Sequence, residues 1–571
     1  MTTADPATDA TDTDADATMN QELFGVFGDR ETFARYRQPG DFDVLVESDA
    51  GTVGIRSHEL TVPGRTTTYS CDRGGCALFG EVVGTPDTTN PAAWLFRRYR
   101  EEGRAAFDAL NGSYLAFVAV DGEAVVATDP LRTWECFHAV VGGTRIFGTD
   151  ITGVEGVLDD PGPDRDAVLE LLHLGTVIGE KTLFEPIRRV PADATLTAAG
   201  TRPLSRFVYD PGSFDYAEEL ARRLERAIRR RSHYPGRKGI LLSAGDDSRV
   251  LLSQVPDIER SYTVGSEDSR EVRVAQKLAD QYGADHEVLE PGARYLYPTE
   301  EKPLYAQSIK EGLHIHQAGY AHEFDVDVMY HGLLFDTLFK GFFLEWDDTD
   351  AFGATLPSNR LVDDPAPVDS LLDTLGFMPE ASAGMGEAVA GLFEDHDLPV
   401  DPHVDSPREF LAQSLSAELD ACRDRVDSLH NATDLLMLRN QPVLPFRTHL
   451  ADNFVEPFVA MDAELLEWHR RTPPAYRNRK TCRRALKRID GDLFRHRAPS
   501  RPHRSAYLNL AERFVRLVVP FVEEFEPAWP DRQTVYEEND IAARLFPDHE
   551  AVRELPERQQ LRVNGLRWWL G

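Results

Sequence analysis

The sequence predicts an α/β protein in two parts: an antiparallel, layered region over residues 21–205 and a parallel-sheet region over residues 213–571. Three observations lead there. Residues 21–205 carry short β-like runs separated by Gly, Asp and Pro, the pattern of antiparallel sheets. From residue 239 onward, strand-like and helix-like segments alternate, as they do when helices connect parallel strands. Between the two, Asp210-Pro-Gly-Ser213 has the composition of a linker. A chain of 571 residues exceeds what one core accommodates, so two domains are expected.

The elements follow in order. Residues 1–20 are rich in Ala, Thr and Asp without a basic leader, and are expected to be a disordered acidic tail in which Met19 is an alternative start. Strand-like runs follow at 24–28, 77–83, 110–118, 124–132 and 147–150. Residues 216–231 form an amphipathic helix, with Leu220, Leu224, Ala227 and Ile228 on one face. Arg229, Arg230 and Arg231 read as its solvated end, where cations suit the helix dipole. A short apolar run, Ile240 to Leu242, then gives way to Ser243, Ala244, Gly245, Asp246, Asp247 and Ser248 before the apolar pattern resumes at Val250. Further βα units span 261–289, with Ala275, Leu278, Ala279 and Tyr282 on a helix face. Residues 345–400, acidic and rich in Pro, Gly and Ala, read as an irregular insertion because proline and glycine break regular structure, and 405–490 read as helical.

Composition excludes several classes of function. The formal charge is −34, which repels nucleic acid and anionic membranes, so neither is expected as a partner. Arginine far outnumbers lysine, a halophilic, cytoplasmic type of composition; at molar salt the Debye length shrinks to about 3 Å and screens the self-repulsion. Five cysteines suggest no disulfide framework. Cys71 and Cys76 are expected in a hairpin, since no second Cys/His pair completes a zinc site. His314 and His316 likewise lack a third ligand nearby, and Trp568 and Trp569 read as part of a docking helix. No apolar run approaches the roughly 20 residues that span a membrane.

The chemistry concentrates at residues 239–252. A strand, a loop of Ser243, Ala244 and Gly245, and a helix beginning near Asp247 would aim loop N–H groups and the helix dipole at one point, which is an anion pocket. Gly245 permits close backbone approach, and the Ser243 and Ser248 hydroxyls add donors. The Gly-Lys-Ser/Thr ending of a Walker loop is absent. A carboxylate in such a loop, Asp247, would repel a phosphate unless a divalent cation sat beside it.

The loop resembles the Ser-Gly-Gly-x-Asp-Ser pyrophosphate loop of ATP pyrophosphatases, with Ala244 for the first Gly. Residues 261–271 and the Gly283…His286 strand are similar to the asparagine synthetase pattern, and residues 326–341 resemble that family's Ser-Gly-Glu-Gly-x-Asp-Glu-Leu-Phe-Gly-Gly motif through Gly332, Asp336, Leu338, Phe339 and Gly341. Arg439, Asn440, Arg447, Glu456, Pro457, Phe458 and Asp462 resemble a further segment of it imperfectly. The N-terminal runs are similar to that family's glutaminase domain. The resemblance implies an Ntn-type αββα sandwich over 21–205 and, over 213–571, a PP-loop domain of the adenine-nucleotide α-hydrolase type with a helical C-terminal part.

It implies ATP and Mg²⁺ as cofactors, with Asp247 and Asp336 as metal ligands. Leu242, Ser243, Ala244, Gly245, Asp247, Ser248, Val264, His331 and Gly332 would hold nucleotide. The activity implied is amide formation through an acyl-adenylate, joining a small-molecule carboxylate to ammonia or an amine, the acceptor being aspartate or, alternatively, a sugar acid or secondary metabolite; a homodimer is open to such a chain. Three departures bear on this. Gln21 stands where the glutaminase cysteine belongs, so that half is expected to be inactive. Leu333 and Thr337 stand where the motif has Glu. The late phosphate-contacting lysine is missing, leaving Arg501 or Arg504 as its substitutes in a catalytic role, with Lys480 structural. A nucleotide-binding pseudoenzyme is the alternative.

Overall fold

Strand alternation can be followed directly into layers. In this computed structural model, residues 18–86, 90–296, 301–351, 354–396, 398, 400–499, 501–503, 505–518 and 529–571 are described. The first strands in chain order are β1 (Glu22–Val26), β2 (Val44–Val46), β3 (Thr52–Arg56), β4 (Thr67–Cys71), β5 (Gly74–Gly80) and β6 (Tyr114–Val120). They continue with β7 (Glu123–Thr128), β8 (Phe137–Val141), β9 (Thr144–Gly148), β10 (Arg188–Arg189), β11 (Ala194–Thr197) and β12 (Gly200–Pro203). Among the described residues they form two six-stranded antiparallel sheets, in the orders β10-β8-β9-β1-β3-β2 and β12-β11-β7-β6-β5-β4.

Every residue of β6 is buried, and the period of two divides them between two cores. Leu115, Phe117 and Ala119 meet Leu23, Val53 and Ile55 of the other sheet. Ala116 and Val118 face Leu95 and Phe96 of the helix Pro91–Glu102. On the far side, Phe24, Val26 and Ile146 pack against Ile151, Val154, Val168 and Leu172 from two further helices. The order of layers is therefore helix, sheet, sheet, helix. Gly25 sits where any side chain would collide, since a Cβ would lie 2.4 Å from the Phe147 ring.

The second part is built on β13 (Lys238–Leu241), β14 (Ile258–Val264), β15 (Asp285–Leu289) and β16 (Val328–Tyr330). All pair parallel, in the order β15-β14-β13-β16. The sheet is covered on both faces, as parallel sheets require. Ile240, Val328 and Tyr330 pack with the helices Tyr216–Arg231 and Asp246–Gln254, and Tyr262, Val264 and Met329 face the other core. The C-terminal helix Glu557–Leu570 docks on the helix Arg165–Leu174, where buried Arg562 donates to the Leu172 and His173 carbonyls. No helix among the described residues is long and apolar enough to cross a membrane.

Three expectations are corrected. Residues 345–400 are not irregular: a hairpin, Trp346–Ala351 with Ala354–Leu361, precedes the helices Pro367–Thr374 and Pro379–Asp395. Pro367 and Pro379 occupy first-turn positions, where proline starts a helix rather than breaking one. Residues 18–20 belong to the fold, because Met19 is buried and Asn20 donates its N–H to Asp452 at 3.0 Å; residues 1–17 lie outside the described residues. Arg231 is not solvated. It falls four residues after Ala227 on the apolar face, is fully buried, and bridges Glu81 at 2.5 Å and Asp462 at 2.8 Å.

Candidate active site

Strand order reverses between β13 and β16, one leading to β14 on one side and the other lying on the opposite side. In an open parallel sheet, loops leaving the carboxyl ends of two such strands diverge and open a crevice between them. The loop 242–245 leaves β13, and His331 and Gly332 leave β16, so the two segments singled out from sequence meet there. A cleft of about 740 Å³ is lined by Leu242, Ser243, Gly245, Asp247, Ser248, Val264, His331, Gly332, Asp336 and Arg501. These are all but two of the residues expected from sequence to form the site. Ala244 is buried behind the loop, and Arg504 lies outside the described residues.

The loop is held by its own small side chains. Ser243 N–H donates to Ser248 Oγ and Gly245 N–H to Ser243 Oγ, both at 3.1 Å. Buried Arg249 donates to the Ala244 carbonyl at 2.6 Å and to the carbonyls of Leu493 and His496, tying the loop to the segment that leads to Arg501. The helix Asp246–Gln254 begins at Gly245 with no side-chain cap, so its first-turn N–H groups face the cleft mouth without a side-chain acceptor. Ala244 N–H donates to a Glu271 carboxylate oxygen at 2.6 Å. The loop thus attracts an anion, and here that anion is the protein's own carboxylate.

The opposite wall comes from residues 331–340. Leu333 N–H donates to His331 Nδ1 at 3.2 Å, which leaves the ring proton on Nε2, donated to Glu456 at 2.5 Å. Glu456 also accepts from Arg447 at 3.1 Å, and that guanidinium, with the hydrogen bond from His331, holds its carboxyl below the usual range despite burial. Gly332 must be glycine: a Cβ would lie 2.7 Å from Asp247 Cβ. That close approach brings Asp247 beside the helix Phe335–Lys340. Lys340 Nζ then lies 2.7 Å from Asp247 Oδ1 and 2.6 Å from Asp336 Oδ1. Burial pushes the Asp247 carboxyl up to about 7 against the pull of Lys340. Burial also opposes the Lys340 charge, yet Asp247 and Asp336 hold it above the usual lysine value.

A magnesium ion bridging Asp247 and Asp336 does not fit this arrangement. The ammonium of Lys340 already takes one oxygen of each carboxylate, the place that a bridging ion would need. Sequence reasoning missed Lys340, whose signal was its spacing: Asp336 and Lys340 stand four apart on one helix face. It also missed Arg479 and Arg483, again four apart, which line the cleft from the helix Arg479–Ile489 while Lys480 is exposed. Farther along the same cleft, His316 stacks on Trp529 at 4.2 Å, and burial keeps both it and His314 neutral, His314 at about 4.

At the start of β1, Gln21 is fully buried. Its amide donates to the Ala451 carbonyl and accepts from Ser57 Oγ, and its N–H donates to Asp452 at 2.7 Å. The position that would carry a nucleophile is instead a strut between the two parts of the chain. Incubation with glutamine, with or without ATP, is expected to release no glutamate; release above a protein-free control would show a nucleophile elsewhere.

No family model and no curated protein matches this chain. Among solved structures, the chain is similar to one described as the allosteric regulatory enzyme of purine biosynthesis, with 13% identity, 57% of this chain and 70% of the other covered, and a TM-score of 0.20. It is also similar to glutamine phosphoribosylpyrophosphate amidotransferase from B. subtilis complexed with ADP and GMP, with 12% identity, 69% and 94% coverage, and a TM-score of 0.21. Both are enzymes by description. At TM-scores this low the likeness carries no weight for this chain, whose own geometry must speak for it.

Proposed function

We propose that the protein is an ATP-dependent carbon–nitrogen ligase of the asparagine synthetase type, acting in the cytoplasm. The observation that supports this reading is the crevice at the strand-order reversal, where an uncapped helix N-terminus, a small-residue loop and the side chains of Lys340, Arg479, Arg483 and Arg501 share one cleft. Leu242 and Val264 give an apolar wall for a base. An oxygen of the acceptor carboxylate attacks the α-phosphorus of ATP, the bond to the bridging oxygen breaks, and pyrophosphate leaves. Ammonia or an amine then attacks the acyl carbon and AMP departs with the bonding electrons. Water or a second ammonia molecule takes the proton that the nitrogen sheds. The cations act by charge neutralisation and positioning.

In this reading residues 21–205 are an Ntn-type glutaminase fold without its nucleophile, and 213–571 the ATP pyrophosphatase domain. The acceptor is aspartate, or a sugar acid or secondary metabolite handled by the same chemistry. A second reading, a nucleotide-binding scaffold, draws on Leu333 and Thr337 in place of the motif's carboxylates and on Glu271 against the loop. Purified protein with ATP, ammonia and a panel of carboxylic acids is expected to release pyrophosphate and AMP in equal amounts with at least one acid. Binding of ATP with no pyrophosphate from any acid would favour the scaffold.

A further inference from the structure

Lys340 has been set between two carboxylates by its surroundings rather than by its own flexibility. The helix Phe335–Lys340 stops at Gly341, whose φ of +62° is left-handed and whose Cβ would lie 2.4 Å from the Arg477 carbonyl oxygen. No other residue fits there, so the end of the helix, and with it the root of the Lys340 stem, is fixed. Gly332 brings Asp247 in from the other wall. The lysine side chain is only 10% exposed, and its two ion pairs account for two of its three N–H donors. The third is left for a ligand oxygen.

We propose that Lys340 is the resident cation of this site: its ammonium does between Asp247 and Asp336 what a bridging divalent ion would do, and the polyphosphate of a nucleoside triphosphate binds here without needing such an ion. The inference rests on the nucleotide reading above. A second cation between the same carboxylates would face the ammonium at close range in a partly buried place, where like charges repel most. The cleft has counter-charge of its own. Among the described residues it is lined by Lys340, Arg479, Arg483 and Arg501 against Asp246, Asp247, Glu271 and Asp336, with Arg558 paired to Glu311, which makes it near neutral on a chain of charge −34. Asp247 and Asp336 orient the ammonium, and the arginines take the remaining phosphate charge bidentately.

The test is equilibrium binding of ATP to the full-length protein at fixed potassium chloride, in EDTA and in excess magnesium. The wild type is expected to bind in both, with Kd values within about threefold, a difference under 1 kcal/mol. Lys340→Met is expected to lose about 10- to 100-fold in EDTA, the factor for one charge-assisted hydrogen bond, and to recover part of it with magnesium, because the vacated carboxylates can then take the ion. Lys340→Arg keeps the charge and is expected to retain binding in EDTA; it also guards against a misfolded methionine variant. Wild-type binding that requires magnesium, or a Lys340→Met variant that binds like the wild type in EDTA, overturns the proposal. Absence of ATP binding by the wild type in both conditions overturns the nucleotide reading and this inference with it.

Discussion

Arg231→Met is expected to destabilise the protein by about 3–5 kcal/mol, the usual cost of breaking a buried ion pair from one side. Arg231 is fully buried and its guanidinium spans Glu81 and Asp462, both also buried. Glu81 accepts in addition from Arg65 at 3.2 Å and from the Tyr234 hydroxyl at 2.7 Å, and Arg65 donates to Glu59 at 2.7 Å. These groups join the end of β5 to the helix Tyr216–Arg231 and, through Arg65 on the Glu456 carbonyl, to the segment whose Glu456 side chain holds His331. Methionine matches much of the arginine stem but leaves two carboxylates short of a cation where water cannot replace it. The loss is read as a lower denaturant midpoint, and Glu81→Gln in the same background should restore part of it by removing one of the two buried charges left with fewer cations. A change under about 1 kcal/mol would mean that water reaches this network and that it behaves as a surface pair.

Asp247→Asn is expected to slow pyrophosphate release by about 10² or more while leaving the fold intact, because one group that orients charge in the cleft is lost. Asparagine keeps the shape that fits against Gly332, but it cannot hold the Lys340 ammonium as a carboxylate does. Lys340 retains Asp336 alone. The pH dependence of stability should change as well. Burial raises the folded-state pKa of Asp247 to about 7, above its unfolded value of 3.8, so the ionised form is the disfavoured one in the folded protein. Its contribution is therefore greatest while it is protonated and declines as pH rises through about 7. An amide is uncharged at every pH, so the variant should lose this pH dependence, while its weaker hold on the buried Lys340 ammonium lowers the melting temperature. Unchanged turnover in Asp247→Asn would reduce Asp247 to a helix-terminus residue.

Much of this was legible because local rules suffice. The helix Tyr216–Arg231 matches its 3.6-residue apolar period to the residue, and Asp215 caps it as a helix start requires. The helix Arg270–Tyr282 ends at Gly283 in the left-handed conformation that glycine tolerates. Residues 345–400 failed for a local reason as well: their prolines were read as breakers, when Pro367 and Pro379 open helices that bury Leu371, Leu372, Met385 and Val389. The pattern was present and the positional meaning of proline was missed.

What the sequence determined by itself is the set of backbone devices: a strand, a small-residue loop and a helix start at 238–254, glycine at 332 and 341, and no nucleophile at 21. Each follows from dihedral freedom, periodicity or the plain absence of a thiol, all properties of a few neighbouring residues. Only the tertiary structure decided which charge answers which. Arg231 finds Glu81 150 positions away and Asp462 231 positions away, so a run of three arginines that looks solvated hides one member in the core. Lys340 likewise reaches Asp247 only because β13 and β16 lie side by side at the reversal of strand order. A charged side chain carries no periodic signal of its partner. Its environment is set by burial and by distant chain segments, and those exist only once the sheet has formed.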